Sequence, residues 1–292
     1  MITAALVVTF ESSQTIERCL RSLDRAGVDE IIVWDNASTD DTVARCHSQA
    51  LSTPMTVVSS PDNLGFGRAL NRLAHRTGAD VLVSCNPDAV VNADTVELLT
   101  GHLARFPRCA VAGPRQFCGD EPRTSCGRLP SLSTELRGVT PSVLARRLPV
   151  RQFPPEYATT GPVGYVEGAC FAVRAAAFRR VDGLDETVFL FYEEQELARR
   201  LQRIGLEIHL VAEATVDHLG QHSRSVLPAQ GAPELIRSAS QYLERWHGRG
   251  AATTYRAAAR LHWMQGARRG RRDAAAPAAL GAVLRRREVA PA

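Results

Sequence analysis

An acidic turn directly follows a short apolar segment in the first third of the chain. The segment, residues 81–85, is almost continuously apolar, which is typical of a strand buried on both faces of a sheet. Pro87 has no N–H for a neighbouring strand, so we expect the chain to leave the sheet there with Asn86 and Asp88 on the turn. Because ligands of open α/β sheets bind at the carboxyl ends of strands, this turn is a candidate site for a hard cation and the phosphates it bridges. The alternative is a polar turn that only ends the strand.

Strands and helices alternate over the first 113 residues, and they have to position this turn. The predicted strands span residues 4–9, 30–34, 56–59, 81–85 and 109–113. The segments between them carry apolar residues at helical spacing, as at Ile16, Cys19, Leu20 and Leu23. This alternation predicts a mainly parallel, doubly wound α/β sheet of nucleotide-binding type. No G-x-G-x-x-G follows the first strand and no G-x-x-x-x-G-K-S/T occurs, so dinucleotide and P-loop sites lose their main support.

The remainder of the chain is less regular. Residues 114–160 are rich in Pro, Arg, Ser and Gly, which predicts an extended loop able to close over a substrate. Order is predicted to return over residues 163–173, and a further strand over residues 206–211. An amphipathic helix is predicted over residues 234–246. We therefore expect an α/β domain over residues 1–225 and a helical, Arg/Ala-rich extension over residues 226–292.

The basic residues of the chain are concentrated in its C-terminal extension. All 35 are arginine, and from Ala232 onward twelve arginines face four acidic residues, whereas the whole chain has a formal net charge of +4. A solvated helix with a frayed end would explain this tail; the alternative is a basic surface for an anionic acceptor, lipid headgroups or a partner. The tail lacks aromatic interleaving and the signals of zinc-finger or helix-turn-helix modules, so we expect no nucleic-acid partner.

Two sequence features bear on location and on metal or disulfide chemistry. No stretch approaches eighteen consecutive apolar residues, and no positively charged segment precedes the first apolar run. We therefore expect a cytoplasmic protein, with the basic tail favouring a peripheral position at the inner face of the membrane. The seven cysteines include no C-x-x-C pair, so their spacing indicates buried apolar residues rather than a disulfide framework or a zinc site.

Several short motifs follow one another in order along about three quarters of the chain. They are V-V-T-F at residues 7–10, D-N-A-S-T-D at 35–40, N-L-G-F-G at 63–67 with Asn71, N-P-D at 86–88, E-G-A at 167–169, the segment 189–197, and His218 with Ser223. Each is unspecific alone, but together they resemble the family 2 glycosyltransferases of the rhamnosyltransferase-like and galactofuranosyltransferase-like branch. The resemblance implies a GT-A fold, a Rossmann-like and mainly parallel sheet with flanking helices, here followed by a helical C-terminal tail.

The resemblance places a nucleotide at the ends of the first three strands. The residues it assigns there are Thr9, Glu11, Asp35 and Asn36 for the base and ribose, and Asn63, Gly65 and Arg68 for the diphosphate. Asp35 can accept the N3–H of a uracil or thymine ring, and an arginine can pair with a phosphate, to which a glycine allows close backbone approach. Glu11 stands where the family commonly has Asn. We therefore expect a UDP- or dTDP-sugar donor.

The resemblance also implies a divalent cation, Mg or Mn. Asn86 and Asp88 occupy the position of the family's D-x-D motif, and His218 matches a histidine that completes the ligands. Such an ion bridges the diphosphate and neutralises the leaving group. Asn86 replaces the first acid of the motif and removes one negative charge from the site. The alternative for His218 is a structural histidine that bonds a nearby carboxylate.

Glu193 and Glu194 stand where the family has Glu-Asp, and this position carries the general base that an attacking hydroxyl needs. Glu194 is the first candidate, ahead of Glu193 and then Glu196. Glu194 replaces a usual Asp, and its added methylene would displace the carboxylate by about 1 Å. The alternative is a solvated helix start in which acids complement the helix dipole and Glu196 pairs with Arg200. The residues expected on the acceptor side are Glu167, Gly168 and Glu196.

The sequence thus predicts an inverting, metal-assisted transfer of a sugar from a UDP- or dTDP-sugar to a hydroxyl acceptor. The branch favours rhamnose or another deoxyhexose as the sugar. The alternatives are a non-catalytic sugar-nucleotide-binding partner protein and, less favoured, a sugar-phosphate nucleotidyltransferase. The latter usually needs a Gly-rich phosphate loop and a lysine near the first strand, and this chain has neither. The acceptor stays open among surface polysaccharides, lipid-linked intermediates and small natural products.

Overall fold

A computed structural model describes residues 1–220 and 231–268. Its strands are β1 Thr3–Thr9, β2 Glu30–Asp35, β3 Met55–Ser59, β4 Val81–Cys85, β5 Ala89–Val91, β6 Cys109–Cys118, β7 Glu121–Arg123, β8 Cys126–Gly127, β9 Gly161–Val163, β10 Tyr165–Val166, β11 Cys170–Arg174 and β12 Glu207–His218. Its helices are α1 Ile16–Arg25, α2 Thr42–His47, α3 Phe66–Ala74, α4 Thr95–Arg105, α5 Leu132–Arg137, α6 Ser142–Ala145, α7 Ala175–Arg180, α8 Glu193–Arg203 and α9 Gly231–Arg268.

One large mixed sheet organises the first part of the chain. Its order is β3-β2-β1-β4-β11-β6-β12-β5, with β7 paired to β6 and β9 paired to β12. Strands β1 to β4 are parallel, and β6 and β12 are parallel to each other. Strand β11 runs antiparallel to both of its neighbours, β4 and β6. The predicted α/β class and the mainly parallel sheet with flanking helices are confirmed.

The chain divides into two compact units. The first comprises Met1–Arg128, Gln152–Glu186 and Glu193–His222, and the second comprises Leu129–Arg151, Thr187–Tyr192 and Ser223–Ala292. In the first unit, β1 and β4 are fully buried and α1 packs its apolar face, including Leu20 and Leu23, into the same core. The predicted boundary at residue 225 lies outside the described residues and stays a prediction.

The second unit has a small core of its own, built mainly on α9. Tyr242, Leu243 and Tyr255 of this helix are buried together with Tyr192. The Tyr192 hydroxyl donates to Glu135 and accepts a hydrogen bond of 2.8 Å from the Arg151 guanidinium. The helical segment is interrupted at Gly248, whose φ of 84° is not helical. The helix predicted over residues 234–246 lies inside this longer segment.

Several local predictions were wrong in extent. Residues 114–160 are not one irregular loop, because β6 continues to Cys118 and β7, β8, α5 and α6 follow. Strand β12 reaches His218, well beyond the predicted end at residue 211, since it pairs with β6 and then with β5. Among the described residues, no helix combines the length and apolar character needed to cross a membrane.

Candidate active site

Thr9 and Asp35 face each other at the carboxyl ends of β1 and β2. The Thr9 hydroxyl donates to Asp35 Oδ1 over 2.8 Å, and Ser38 donates its hydroxyl to Oδ1 and its N–H to Oδ2 over 2.6 and 2.9 Å. Asp35 is only 2% exposed, so these donors satisfy and orient its carboxylate. A carboxylate offers about four lone-pair sites, so within the described residues Oδ2 can still accept from a ligand N–H.

Acidic side chains tie together the loops that follow β1 and β2. Glu11 Oε1 accepts from the Thr39 N–H and hydroxyl over 2.7 and 3.0 Å. Asp40 accepts from the backbone N–H of Ser13 over 3.1 Å and from the Thr42 N–H over 3.0 Å. Partial burial would raise the pKa of Asp40, but hydrogen bonds from Thr42 and Ser13 outweigh it and lower this pKa to about 2. Glu11 thus fixes the loop after β2 through Thr39. Its contact with the nucleotide stays a prediction.

Asn36 connects β2 to the start of α3. Its Oδ1 accepts from Trp34 Nε1 over 3.1 Å and from the Leu64 N–H over 3.2 Å, and its Nδ2 donates to the Gly65 carbonyl over 3.3 Å. Gly65 precedes α3 with a φ of 81°, a conformation that favours glycine, and its N–H donates to Asn63 Oδ1 over 3.0 Å. Both predicted diphosphate residues of this loop therefore lie at a helix N-terminus, which is suited to anions.

Arg68 and Asn71 on α3 bind the loop that follows α7. Arg68 Nε donates to the Glu186 carbonyl over 3.0 Å. The Asn71 side chain exchanges two hydrogen bonds with the Leu184 backbone, at 2.9 and 2.8 Å. Gly183 has a φ of 64°, and a Cβ there would lie 2.3 Å from Asn71 Oδ1. The structure therefore accounts for Asn71 as an anchor of this loop, while the phosphate contact of Arg68 stays a prediction.

Asp88 and His218 are brought together by strand pairing. Ala89, the first residue of β5, pairs with His218, the last residue of β12. His218 Nε2 lies 3.2 Å from Asp88 Oδ1, and the Leu219 N–H donates to the Asp88 carbonyl over 3.2 Å. Asp88 is 5% exposed and His218 is partly exposed. The two predicted metal ligands, 130 residues apart in sequence, thus share one point at the carboxyl edge of the sheet.

Glu194 lies directly against Gly168. It is the second residue of α8 and is half-buried, and a Cβ on Gly168 would lie 1.6 Å from its Oε1 and 2.7 Å from its Cδ. Gly168 does not have a positive φ, so the glycine is needed here for space and not for its backbone conformation. The carboxylate of the predicted base therefore occupies the space next to Gly168, and a larger residue at position 168 would displace it.

The other acids of this region differ in exposure and in bonding. Glu193 and Glu196 are each 2% exposed, and Glu196 lies 2.6 Å from Arg200. The predicted pairing of Glu196 with Arg200 is thus present, but the alternative of a solvated helix start was wrong for Glu193 and Glu196, since both are buried. The ion pair leaves the Glu196 carboxylate poorly placed to contact an acceptor. Half-buried Glu167 accepts from Gln152 Nε2 over 2.9 Å and from the Tyr165 hydroxyl over 3.1 Å.

Two backbone segments connect the predicted base to the predicted metal ligands. Strand β11 starts at Cys170, which pairs with Cys85 at the end of β4. The loop before β11 and the turn after β4 therefore lie at the same edge. The Asn86 N–H donates to the Ala169 carbonyl over 2.8 Å, and Ala169 follows the glycine that Glu194 covers. This hydrogen bond thus links the loop that contacts Glu194 to the turn that contains Asp88.

Comparison with known proteins identifies the family. The model of the glycosyl transferase family 2 matches residues 4–182, which is more than half of the chain. The chain belongs to glycosyl transferase family 2. This family 2 glycosyltransferase is 29% identical over 244 residues to the N-acetylglucosaminyl-diphospho-decaprenol L-rhamnosyltransferase of Mycobacterium tuberculosis, with 77% of this chain and 78% of the relative covered. The predicted family and the enzyme class are confirmed.

Solved structures confirm the GT-A fold of this glycosyltransferase. GalNAc-T7, solved with UDP, GalNAc and Mn2+, matches 75% of this chain with a TM-score of 0.60 and 14% identity. The chain spans less than half, 44%, of that protein's length. The mannosyltransferase PcManGT of Pyrobaculum calidifontis, solved with GDP-Man and Mn2+, matches 97% of this chain and 85% of its own, with a TM-score of 0.56 and 17% identity.

Proposed function

We propose that this glycosyltransferase moves a sugar, with inversion, from a UDP- or dTDP-sugar to a hydroxyl acceptor, and that the sugar is rhamnose or another deoxyhexose. The L-rhamnosyltransferase relative supports the choice of sugar. The observation that carries the proposal is the backbone hydrogen bond between Asn86 and Ala169. It links the turn of Asp88, whose side chain contacts His218, to the loop that contacts Glu194. Family membership favours transfer over the non-catalytic and nucleotidyltransferase alternatives.

The donor nucleotide is proposed to lie across the ends of β1 and β2. Asp35 is held by Thr9 and Ser38 with one oxygen able to accept the N3–H of a uracil or thymine ring. The helix N-terminus at Gly65, with Arg68 one turn on, is suited to the diphosphate. With the nucleotide held at these residues, the sugar is proposed to face the turn that contains Asp88.

The residues proposed to hold a divalent cation are Asp88 and His218, with Asn86 beside them. A carboxylate suits Mg or Mn and an imidazole suits transition ions, so the pair fits Mn in particular. When bound, such an ion neutralises the negative charge that develops on the leaving diphosphate. His218 Nε2 lies 3.2 Å from Asp88 Oδ1, so both side chains are aimed at one point.

Glu194 is proposed as the general base. As the acceptor oxygen attacks the anomeric carbon, its proton moves to the Glu194 carboxylate, and the electron pair of the breaking C–O bond leaves with the nucleoside diphosphate. Among the three acids of α8, Glu194 is half-buried whereas Glu193 and Glu196 are 2% exposed, so a hydroxyl reaches Glu194 most readily. Glu167, fixed by Gln152 and Tyr165, is proposed to orient the acceptor.

The acceptor is proposed to be anionic or membrane-associated. The relative's name specifies a diphospho-decaprenol acceptor, which is a lipid carrying negative charge. The arginine-rich part of the tail, whose final 24 residues lie outside the described range, would suit such a surface. We therefore propose a peripheral position at the inner face of a membrane, with the tail contributing to it.

A binding screen followed by turnover tests the proposal. The purified chain is titrated with UDP and dTDP sugars with and without Mn2+, and transfer is then followed with the sugar nucleotide that binds best. Asp88→Ala should weaken metal-dependent nucleotide binding; unchanged affinity would remove Asp88 from the metal site. Glu194→Gln should bind the nucleotide normally and lose transfer, whereas Glu97→Gln, an exposed acid on α4, should behave like the unmodified protein. Full turnover by Glu194→Gln would refute its role as base.

A further inference from the structure

Three side chains with metal-ligating atoms meet at the opposite edge of the sheet, where β6 and β12 begin. His102 lies in the last turn of α4, Cys109 is the first residue of β6, and His209 is near the start of β12. His102 Nε2, Cys109 Sγ and a ring nitrogen of His209 all lie within 4.8 Å of one another. The proposed transfer reaction uses none of these three residues.

We propose that His102, Cys109 and His209 form a binding site for zinc or another borderline-soft divalent transition ion. Thiolate sulfur and imidazole nitrogen are the ligands that zinc prefers, at about 2.3 Å and 2.0–2.1 Å. Two imidazole nitrogens on a tetrahedral ion lie roughly 3.3 Å apart. His102 Nε2 and His209 Nδ1 lie 2.8 Å apart, so the site has to open by only about 0.5 Å.

The histidine on β12 has the outer contact that metal-bound histidines usually have. His209 Nε2 lies 3.1 Å from the Glu207 carboxylate, and Glu207 is in turn paired with Arg108 at 3.2 Å. A carboxylate at Nε2 fixes the proton there and leaves the Nδ1 lone pair directed at His102. Binding an ion replaces the hydrogen bond between the two rings, and His102 then carries its proton on Nδ1.

Arg174 and Phe106 lie next to the three side chains. The guanidinium of Arg174 donates to the Cys109 carbonyl over 2.9 Å. Burial raises the pKa of the Cys109 thiol to about 12, and the nearby Arg174 only partly offsets this effect, so the thiol is protonated unless a metal ion displaces its proton. The Phe106 ring covers the cluster, with its centroid 4.5 Å from that of His102 and 5.7 Å from that of His209. Cys109 and His209 are buried and His102 is half-buried, so the cluster is largely shielded from water.

The alternative is a plain hydrogen-bonded histidine pair with a buried thiol beside it. A metal site and a plain histidine pair predict different absorption spectra when a metal ion is added. Three protein ligands leave a fourth position for water, and a thiolate bound to cobalt gives an intense charge-transfer band that oxygen and nitrogen ligands do not give. The Asp88 and His218 site contains no thiol, so the band distinguishes the two sites.

The test is a Co2+ titration of the full-length, metal-free protein, followed by displacement with Zn2+. We expect one equivalent to produce the thiolate charge-transfer band, and Zn2+ to abolish it. Cys109→Ser should eliminate the band, and Glu207→Gln should keep it with roughly 10- to 100-fold weaker affinity. Absence of the band from the folded unmodified protein would overturn the proposal.

Two control variants and a third site variant complete this test. Asp88→Ala and Cys118→Ser should both retain the band. Cys118 is the control for non-specific binding of cobalt to a thiol, because the other six cysteines are buried. His102→Gln, at a half-buried helix position, should keep the fold and lose the rise in melting temperature that Zn2+ gives the unmodified protein. A band that persists in Cys109→Ser, or an equal Zn2+ shift in His102→Gln, would refute the site.

Discussion

Replacing Gly168 by Ala tests whether the position of Glu194 governs turnover. The new Cβ would lie 1.6 Å from Glu194 Oε1, whereas real contacts of this kind are essentially never under 3.0 Å. The carboxylate or the loop must therefore move by at least about 1.4 Å. A misplacement of about 1 Å near a reacting centre costs on the order of 100-fold in rate, so we expect kcat to fall about 100-fold or more.

The same substitution should leave donor binding unchanged. The proposed nucleotide contacts, at Thr9, Asp35 and Gly65, lie on other strand ends. The assay is steady-state sugar transfer together with a direct measurement of nucleotide Kd. Gly101→Ala is a matched control, because a Cβ at that helical position meets nothing within 4 Å. A folded Gly168→Ala protein with unaltered kcat would refute the reasoning.

A double substitution separates displacement of the base from damage to the loop. Glu194→Asp withdraws the carboxylate by one methylene and should lower the rate by itself. If the two side chains compete for the same space, Gly168→Ala should cost much less in the Glu194→Asp background than in the unmodified protein. Additive losses would show that the alanine acts through the loop and not through the carboxylate.

Three further predictions concern stability. Asp40→Asn should lower the melting temperature above about pH 4, where the native carboxylate is charged and the depressed pKa stabilises the fold; this difference should shrink as pH falls from about 4 towards 2. Tyr192→Phe should destabilise by about 1–3 kcal/mol in denaturant titrations, because it removes a buried donor to Glu135. Gly183→Ala should cost about 1–3 kcal/mol or more, since a left-handed φ is combined with a clash against Asn71; an unchanged melting temperature would contradict this.

The nucleotide-binding half of the fold was predictable because its signals are local. Strand β4 has the predicted bounds, Val81–Cys85, since a buried central strand is continuously apolar. The region after residue 113 was not predictable to the same degree. Strand β6 continues to Cys118 because it pairs with β12, about a hundred residues later, and no local pattern carries that pairing.

The site shows the same division between local and distant information. The turn with Asp88 is visible in the sequence, as is the acidic start of α8. The contact of Glu194 with Gly168 is not visible in the sequence, because it depends on how two distant segments pack together. The cluster of His102, Cys109 and His209 was not predictable for the same reason, because its members are not closely spaced in the sequence as zinc ligands often are.

The reversed direction of β11 limits how the loop before it can vary. The strand is bonded on one side to β4 and on the other to β6, so its register is fixed twice. An insertion or deletion that slipped β11 by one position would exchange its side chains between the two faces of the sheet, both of which are buried here. The loop before β11 should therefore tolerate substitutions better than changes in its length.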